Sequence, residues 1–208
     1  RFDNVTGVQT CALPISRRAQ IAEEINAGSN RRYVADLELP PLITATTDLP
    51  AATAPAQLVV VAVPSQTARA VLTPLAGGLR EDAVAVSLMK GVELGTGMRM
   101  SEVLAEALRL GPERVVVVSG PNLADEIAAG QPTATVVAAQ DEETAARVAA
   151  CCATTTFRPY TNTDVLGVEL CGAVKNVIAL AVGIAAGRGF GDKDRKSTRL
   201  NSSHIIES

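Results

Sequence analysis

Tryptophan is absent from this 208-residue chain, and the other aromatics are three Phe and two Tyr. Single-stranded nucleic acids are bound by stacking bases on aromatic rings, so this scarcity speaks against that class. A net charge of -3 speaks against a binder of the phosphate backbone. Histidine occurs once, at His204, and cysteine four times, at Cys11, Cys151, Cys152 and Cys171. No pair among them has zinc-ligand spacing, so no metal site is expected, and the thiols read as buried apolar groups. The start lacks a charged-then-apolar leader segment, which places the protein in the cytoplasm. Neither an internal repeat nor a low-complexity tract is visible.

Apolar residues, by contrast, are abundant at 47% of the chain, enough for a sizeable core. Residues 17–28 put Ile21 and Ile25 at helical spacing before a stop at Gly28. Residues 30–48 read as loop. From there strands and helices alternate: strands at 58–63, 84–88, 115–118 and 134–138, helices at 65–75, 98–110, 121–129 and 142–152. The strands are continuous β-branched runs such as LVVVAV and VVVV, which suits parallel strands buried on both faces. The alternation predicts an α/β fold, an open doubly wound sheet with ligands at the carboxyl ends of its strands. Three of those ends carry V-P-S, M-K-G and S-G-P-N. A domain boundary is expected near residues 160–164, where the alternation stops.

Beyond it, 167–192 reads GVELCGAVKNVIALAVGIAAGRGFGD, a long helix running into a glycine-rich loop. Glycines inside a helix cost about 1 kcal/mol each relative to alanine, so tertiary packing must hold it. Glu169, Lys175 and Arg188 interrupt the apolar run too often for a plain membrane span. Two readings of Lys175 stay open on spacing alone. It snorkels from a core helix to the surface, or it lies buried among apolar neighbours as a proton donor and acceptor. Lys90 likewise reads as a solvated strand-end lysine or as a cation for a substrate phosphate or developing alkoxide. Ser119-Gly120-Pro121-Asn122 is a plain helix start, or a set of free N–H groups suited to a phosphate or hydroxyl-rich ligand. Arg17 and Arg18 read as a solvated helix start.

The run E-L-C-G-A-V-K-N-V-I-A-L followed by G-x-G-F-G-D resembles the hallmark segment of bacterial NAD(P)-dependent glycerol-3-phosphate dehydrogenases. N-R-R-Y-V-A-D-L-E-L-P is also family-like. The resemblance implies a Rossmann-type sheet lacking its first strand–helix–strand unit, followed by the first helix of an all-α substrate domain. It implies NADP or NAD as cofactor and an oxidoreductase interconverting sn-glycerol 3-phosphate and dihydroxyacetone phosphate, feeding phospholipid synthesis. Lys175 then maps to the catalytic proton acceptor. Lys90 would contact both cofactor and substrate, Gly120 and Asn122 the substrate, Ala124 the cofactor, and Tyr33 would border the adenine. Arg17 and Arg18, at the end of the family's second strand, would hold the 2′-phosphate of NADP where NAD sites usually place an acid. Ser or Thr commonly stands where this chain has Asn122. No nucleic acid, no membrane span and a homodimer when full length complete the expectation. The alternatives are another hydroxy-acid dehydrogenase of the same build, or a fragment without catalysis.

Both ends are set aside as foreign. Residues 194–204, DRKSTRLNSSH, can be encoded by a DNA string whose reverse complement encodes residues 5–15, VTGVQTCALPI, residue for residue. The string resembles a common sequencing adapter. On this reading 1–16 and 193–208 are artefact, 17–162 is a partial dinucleotide-binding domain and 163–192 the start of a truncated helical domain. The glycine-rich G-x-G-x-x-G turn of such domains belongs before Arg17, and no match to it stands there.

Overall fold

The computed structural model describes residues 19–190. Its core is a five-stranded sheet of β3 (Leu58–Val61), β4 (Val84–Ser87), β5 (Val115–Ser119), β6 (Thr133–Ala138) and β7 (Phe157–Asn162), in that spatial order. A separate two-stranded ribbon, β1 (Ser29–Asn30) with β2 (Val34–Glu38), stands in the stretch read as loop. It packs with α1 (Ala19–Asn26) through a small cluster of Ala22, Ile25 and Ala45. Helices α2 (Leu49–Thr53), α3 (Ala68–Leu72), α4 (Met100–Leu108), α5 (Ala124–Ala128), α6 (Glu142–Cys152) and α7 (Val165–Gly187) complete the chain.

The sheet is doubly wound but not all parallel. β3, β4 and β5 run parallel, β6 pairs antiparallel with β5, and β7 returns parallel to β6. Antiparallel neighbours can be joined at one end of a sheet, whereas parallel ones need a crossover. The short α5 connection therefore stays at the carboxyl end of β5, while α6 crosses a face to link β6 to β7. β7 escapes a sequence reading because FRPYTN is largely polar and contains Pro159. A proline cannot donate to the ladder, and at the sheet's edge that costs nothing.

Alternating residues of the central strands feed two cores. Val59, Val61, Ala85 and Val115 face α3 and α4, where Met100, Val103 and Leu104 are fully buried. Val84, Val86, Val116, Val118 and Val137 face α6, against Ala145 and Val148. Each such Val or Leu contributes about 1.5–3 kcal/mol through burial. Val60, on the edge strand β3, is 57% exposed. The cysteines differ from expectation: Cys152 and Cys171 are exposed, Cys151 is half-buried, and all three are free.

Helix α7 begins under an N-cap in which Asp164 Oδ1 accepts from Gly167 N at 2.8 Å. Caps of this kind are worth about 1 kcal/mol. Asp164→Ala should lower the urea midpoint with an unchanged m-value, by an amount equal to about 1 kcal/mol. An unchanged midpoint would mean that this end of α7 frays already.

Candidate active site

β3, β4 and β5 end on the same side of the sheet, and the loops that follow them are tied to one another by side chains. Pro64 closes β3, and Gln66 just beyond it reaches the loop after β4. Its Nε2 donates to Val92 O at 2.8 Å, and its Oε1 accepts from Leu94 N at 2.9 Å. Arg69 on α3 forks onto Glu93 at 2.9 and 2.8 Å and reaches Glu106 at 2.7 Å. The hydrogen-bonded guanidinium holds the Glu93 carboxyl below the usual range. Two anchors thus fasten the loop that carries Lys90.

Lys90 is exposed and donates from Nζ to Gly120 O at 3.1 Å. The acceptor belongs to a loop fixed from the other side by Thr135, a residue of β6 only 2% exposed. Thr135 Oγ1 donates to Ser119 O at 3.1 Å, and Asn122 Nδ2 donates to Thr135 Oγ1 at 3.2 Å. Gly120 has no room for a side chain. A Cβ there would lie 2.8 Å from Thr135 Oγ1, 3.0 Å from Thr135 Cα and 3.1 Å from Ala134 O.

α7 closes over this end. A Cβ on Gly172 would lie 2.8 Å from Ser119 Oγ and 4.0 Å from Lys90 Cγ, so the helix touches the sheet at the end of β5. Residues three apart share a helix face, and Lys175 follows Gly172 at that spacing. Lys90, Gly120 and Asn122 are joined at the ends of β4 and β5, the candidate cleft; Lys175 lies one turn along α7 from the Gly172 contact, and Ala124 begins α5. Of the two readings of Lys175, the buried one does not hold: the residue is exposed, as are its neighbours Val174 (42%) and Val177 (66%). Glu169 and Gly172 hold the first part of α7, and most residues beyond Gly172 are exposed, so described residues do not enclose the lysine.

Tyr33 is 58% exposed, in the turn between β1 and β2, a ribbon that reaches α5. Arg17 and Arg18 lie outside the described residues. Sequence reasoning missed Thr135 and Gln66, whereas Gly172 is one of the small helix residues expected to allow close backbone approach. Among the described residues no group of three or more His, Cys, Asp or Glu could hold a metal. A separate cavity of about 290 Å³ is lined by Arg99, Ser101, Glu102, Gln140, Asp164 and Leu166. It includes none of Lys90, Gly120 and Lys175, and its charged groups bond one another or a helix end.

By length and composition α7 could cross a membrane. Here, however, its first turns pack on β5 and β6. The fold and the strand ends define a Rossmann-type α/β protein with a long helix, α7, seated at the end of β5. Residues 7–145 match the NAD-dependent glycerol-3-phosphate dehydrogenase N-terminus, and residues 164–201 the C-terminus of the same family. The chain belongs to that family. Both matched ranges run into the terminal stretches set aside above. A Thermobifida fusca protein named glycerol-3-phosphate dehydrogenase [NAD(P)+] is 56% identical over 177 residues, 85% of this chain and 53% of the relative. A Streptomyces coelicolor protein of the same name is 55% identical over 198 residues, 94% and 59% of the two chains. The crystal structure of glycerol-3-phosphate dehydrogenase from Coxiella burnetii superposes with a TM-score of 0.79 at 30% identity, covering 92% of this chain and 58% of that one. The chain thus spans little more than half the length of these relatives.

Proposed function

We propose that the protein is an NAD(P)-dependent oxidoreductase that interconverts sn-glycerol 3-phosphate and dihydroxyacetone phosphate, supplying the backbone of glycerophospholipids. The observation that carries this reading is the seating of Gly172 on Ser119, where a Cβ would lie 4.0 Å from Lys90 Cγ, three residues before Lys175 on α7. Identity above 50% to relatives named for that reaction supports the substrate.

The donor set fits a phosphorylated dinucleotide and a phosphorylated substrate. The turns VPSQ, LMKG and SGPN contain one ammonium and no acidic side chain. Hydride transfer is the chemistry a bound nicotinamide supplies. Lys90, held by the Gly120 carbonyl, presents a fixed cation to substrate and cofactor at the strand ends. Lys175 accepts the substrate hydroxyl proton in one direction and returns it in the other. Asn122, pinned through Thr135, holds its side of the substrate in place, and such fixed orientation is itself a large part of the rate. Ala124 and Tyr33 border the dinucleotide, and Arg17 or Arg18 meets a 2′-phosphate where NADP is used.

We take residues 17–162 as the dinucleotide-binding part and 163–192 as the start of the substrate part, with 1–16 and 193–208 foreign to both. The protein acts in the cytoplasm on small molecules and binds neither nucleic acid nor membrane. Pairing into a homodimer is compatible with the apolar outer face of α7. The test is a chimera that sets residues 17–192 between the corresponding flanking segments of the Thermobifida fusca relative. Dihydroxyacetone phosphate should drive oxidation of NADPH or NADH, followed by absorbance, while 2-oxo acids should not. Turnover of a 2-oxo acid instead would point to another dehydrogenase of this build, and cofactor binding without turnover to a non-catalytic role.

A further inference from the structure

Glu169 is an acid inside an apolar helix segment, and its side chain is only 7% exposed. It does not reach the cleft. Its carboxylate accepts from Arg99 Nη1 at 3.0 Å, from the backbone Ser101 N at 2.9 Å, and from the Ser101 hydroxyl. Ser101 lies in the first turn of α4, whose N–H groups have no partner within the helix. A carboxylate there meets both a free donor and the positive end of the helix dipole. Arg99 is itself shared with Glu102, at 2.8 Å, and Glu102 also accepts from Arg99 N at 2.9 Å. The network fixes Glu169 in position, and its partners all come from the sheet-bearing unit.

We infer that Glu169 is a positioning residue for the reaction proposed above: it sets the rotation and height of α7 so that Lys175 meets Lys90 and Gly120. Glu169 and Gly172, and Gly172 and Lys175, are each three residues apart, so each pair shares a face, while Lys175 lies about 120° round the helix from Glu169. At a rise of about 1.5 Å per residue, Lys175 stands about 9 Å beyond Glu169. Gly172 alone gives the helix a place to touch the sheet, but a glycine contact has no direction. The three bonds of Glu169 supply one, because a carboxylate fixed by a backbone N–H, a hydroxyl and a guanidinium cannot rotate with the helix. No other acidic residue of α7 is available, since Glu169 is the only one between Val165 and Gly187. The inference rests on the proposed function only for what Lys175 does; the seating of α7 is separable from it.

The test of seating uses the 208-residue chain with its four cysteines replaced by serine. A Cβ on Gly172 lies 3.9 Å from Ser119 Cβ, within the roughly 3.5–4.5 Å that a disulfide spans. Ser119→Cys with Gly172→Cys should therefore close on mild oxidation, timed by loss of free thiol. Adding Glu169→Ala should slow closure at least about tenfold, the loss expected for charge-assisted bonds. Glu169→Gln, which keeps the shape and an acceptor for Ser101, should slow it less. Amide exchange of β4 and β5 reports whether the sheet is intact. Equal closure rates with Glu169 and with Ala, over a protected sheet, overturn the inference. Should Ala lose that protection, the Gln comparison decides on the same criterion. In the chimera, Glu169→Ala should lower kcat, leave the cofactor Kd unchanged, and be partly rescued by Gln. Slowed closure with an unchanged kcat would also overturn it. A chimera inactive with Glu169 in place counts against the proposed function and leaves the closure result standing.

Discussion

Lys175→Ala in the chimera should lower turnover at least about a hundredfold, the lower range for loss of a general acid–base group. The cofactor dissociation constant should stay within about a factor of two, a shift of under half a kcal/mol. Two features of the structure set this split. Lys175 is on α7, three residues beyond the Gly172 contact, while the loops suited to the dinucleotide follow β3, β4 and β5. Its side chain is exposed, so truncating it removes no core contact and should leave the fold as it was. A fall in turnover therefore reports chemistry rather than unfolding. A loss under tenfold would make Lys175 an ordinary surface lysine of α7. A collapse of cofactor binding as well would move the proton-transfer role elsewhere, and Lys90 is the next cation at the cleft. Lys90→Ala gives the contrast, since its contact with Gly120 predicts weaker cofactor and substrate binding together.

The residues of this cleft were legible in the sequence to differing degrees. The valine runs of β3, β4 and β5 and the helices between them carry strong periodicity, and α6 falls over the stretch expected for it. Lys90 and Gly120 follow directly from strand ends. The direction of β6 did not, because ATVVA has the same apolar content whether it runs parallel or antiparallel to β5. Only the length and placement of the α5 connection decide it. The buried reading of Lys175 rests on apolar neighbours in the chain, but beyond Gly172 the helix leaves even Val177 and Leu180 exposed. Local sequence reports what a residue prefers, not what lies opposite. The same limit hid Thr135 and Glu169, whose partners are distant in the chain.

Gly120→Ala should cost stability and binding together, and the reason is confined to one methyl group. The new Cβ would come within 3.0 Å of Thr135 Cα and 3.1 Å of Ala134 O, both backbone atoms of β6. Neither can swing away as a flexible side chain would, so the loop or the strand must move. Overpacking of this kind costs about 1–3 kcal/mol, out of the roughly 5–15 kcal/mol that holds a domain folded. The shift would carry the Gly120 carbonyl away from Lys90 Nζ and loosen Asn122, whose partner is the same Thr135. The Michaelis constant for substrate should rise even in molecules that stay folded. Two other glycines provide the scale. A Cβ on Gly172 meets first the Ser119 hydroxyl, a side chain free to turn, so Gly172→Ala should cost less. A Cβ on Gly183 meets nothing within 4 Å. Gly183→Ala should stabilise α7 by about 1 kcal/mol through helix propensity alone. Urea midpoints for the three variants should fall in the order Gly183→Ala, Gly172→Ala, Gly120→Ala. If Gly120→Ala matched Gly172→Ala in midpoint and left substrate binding alone, the loop after β5 would not lie as close to β6 as the site requires.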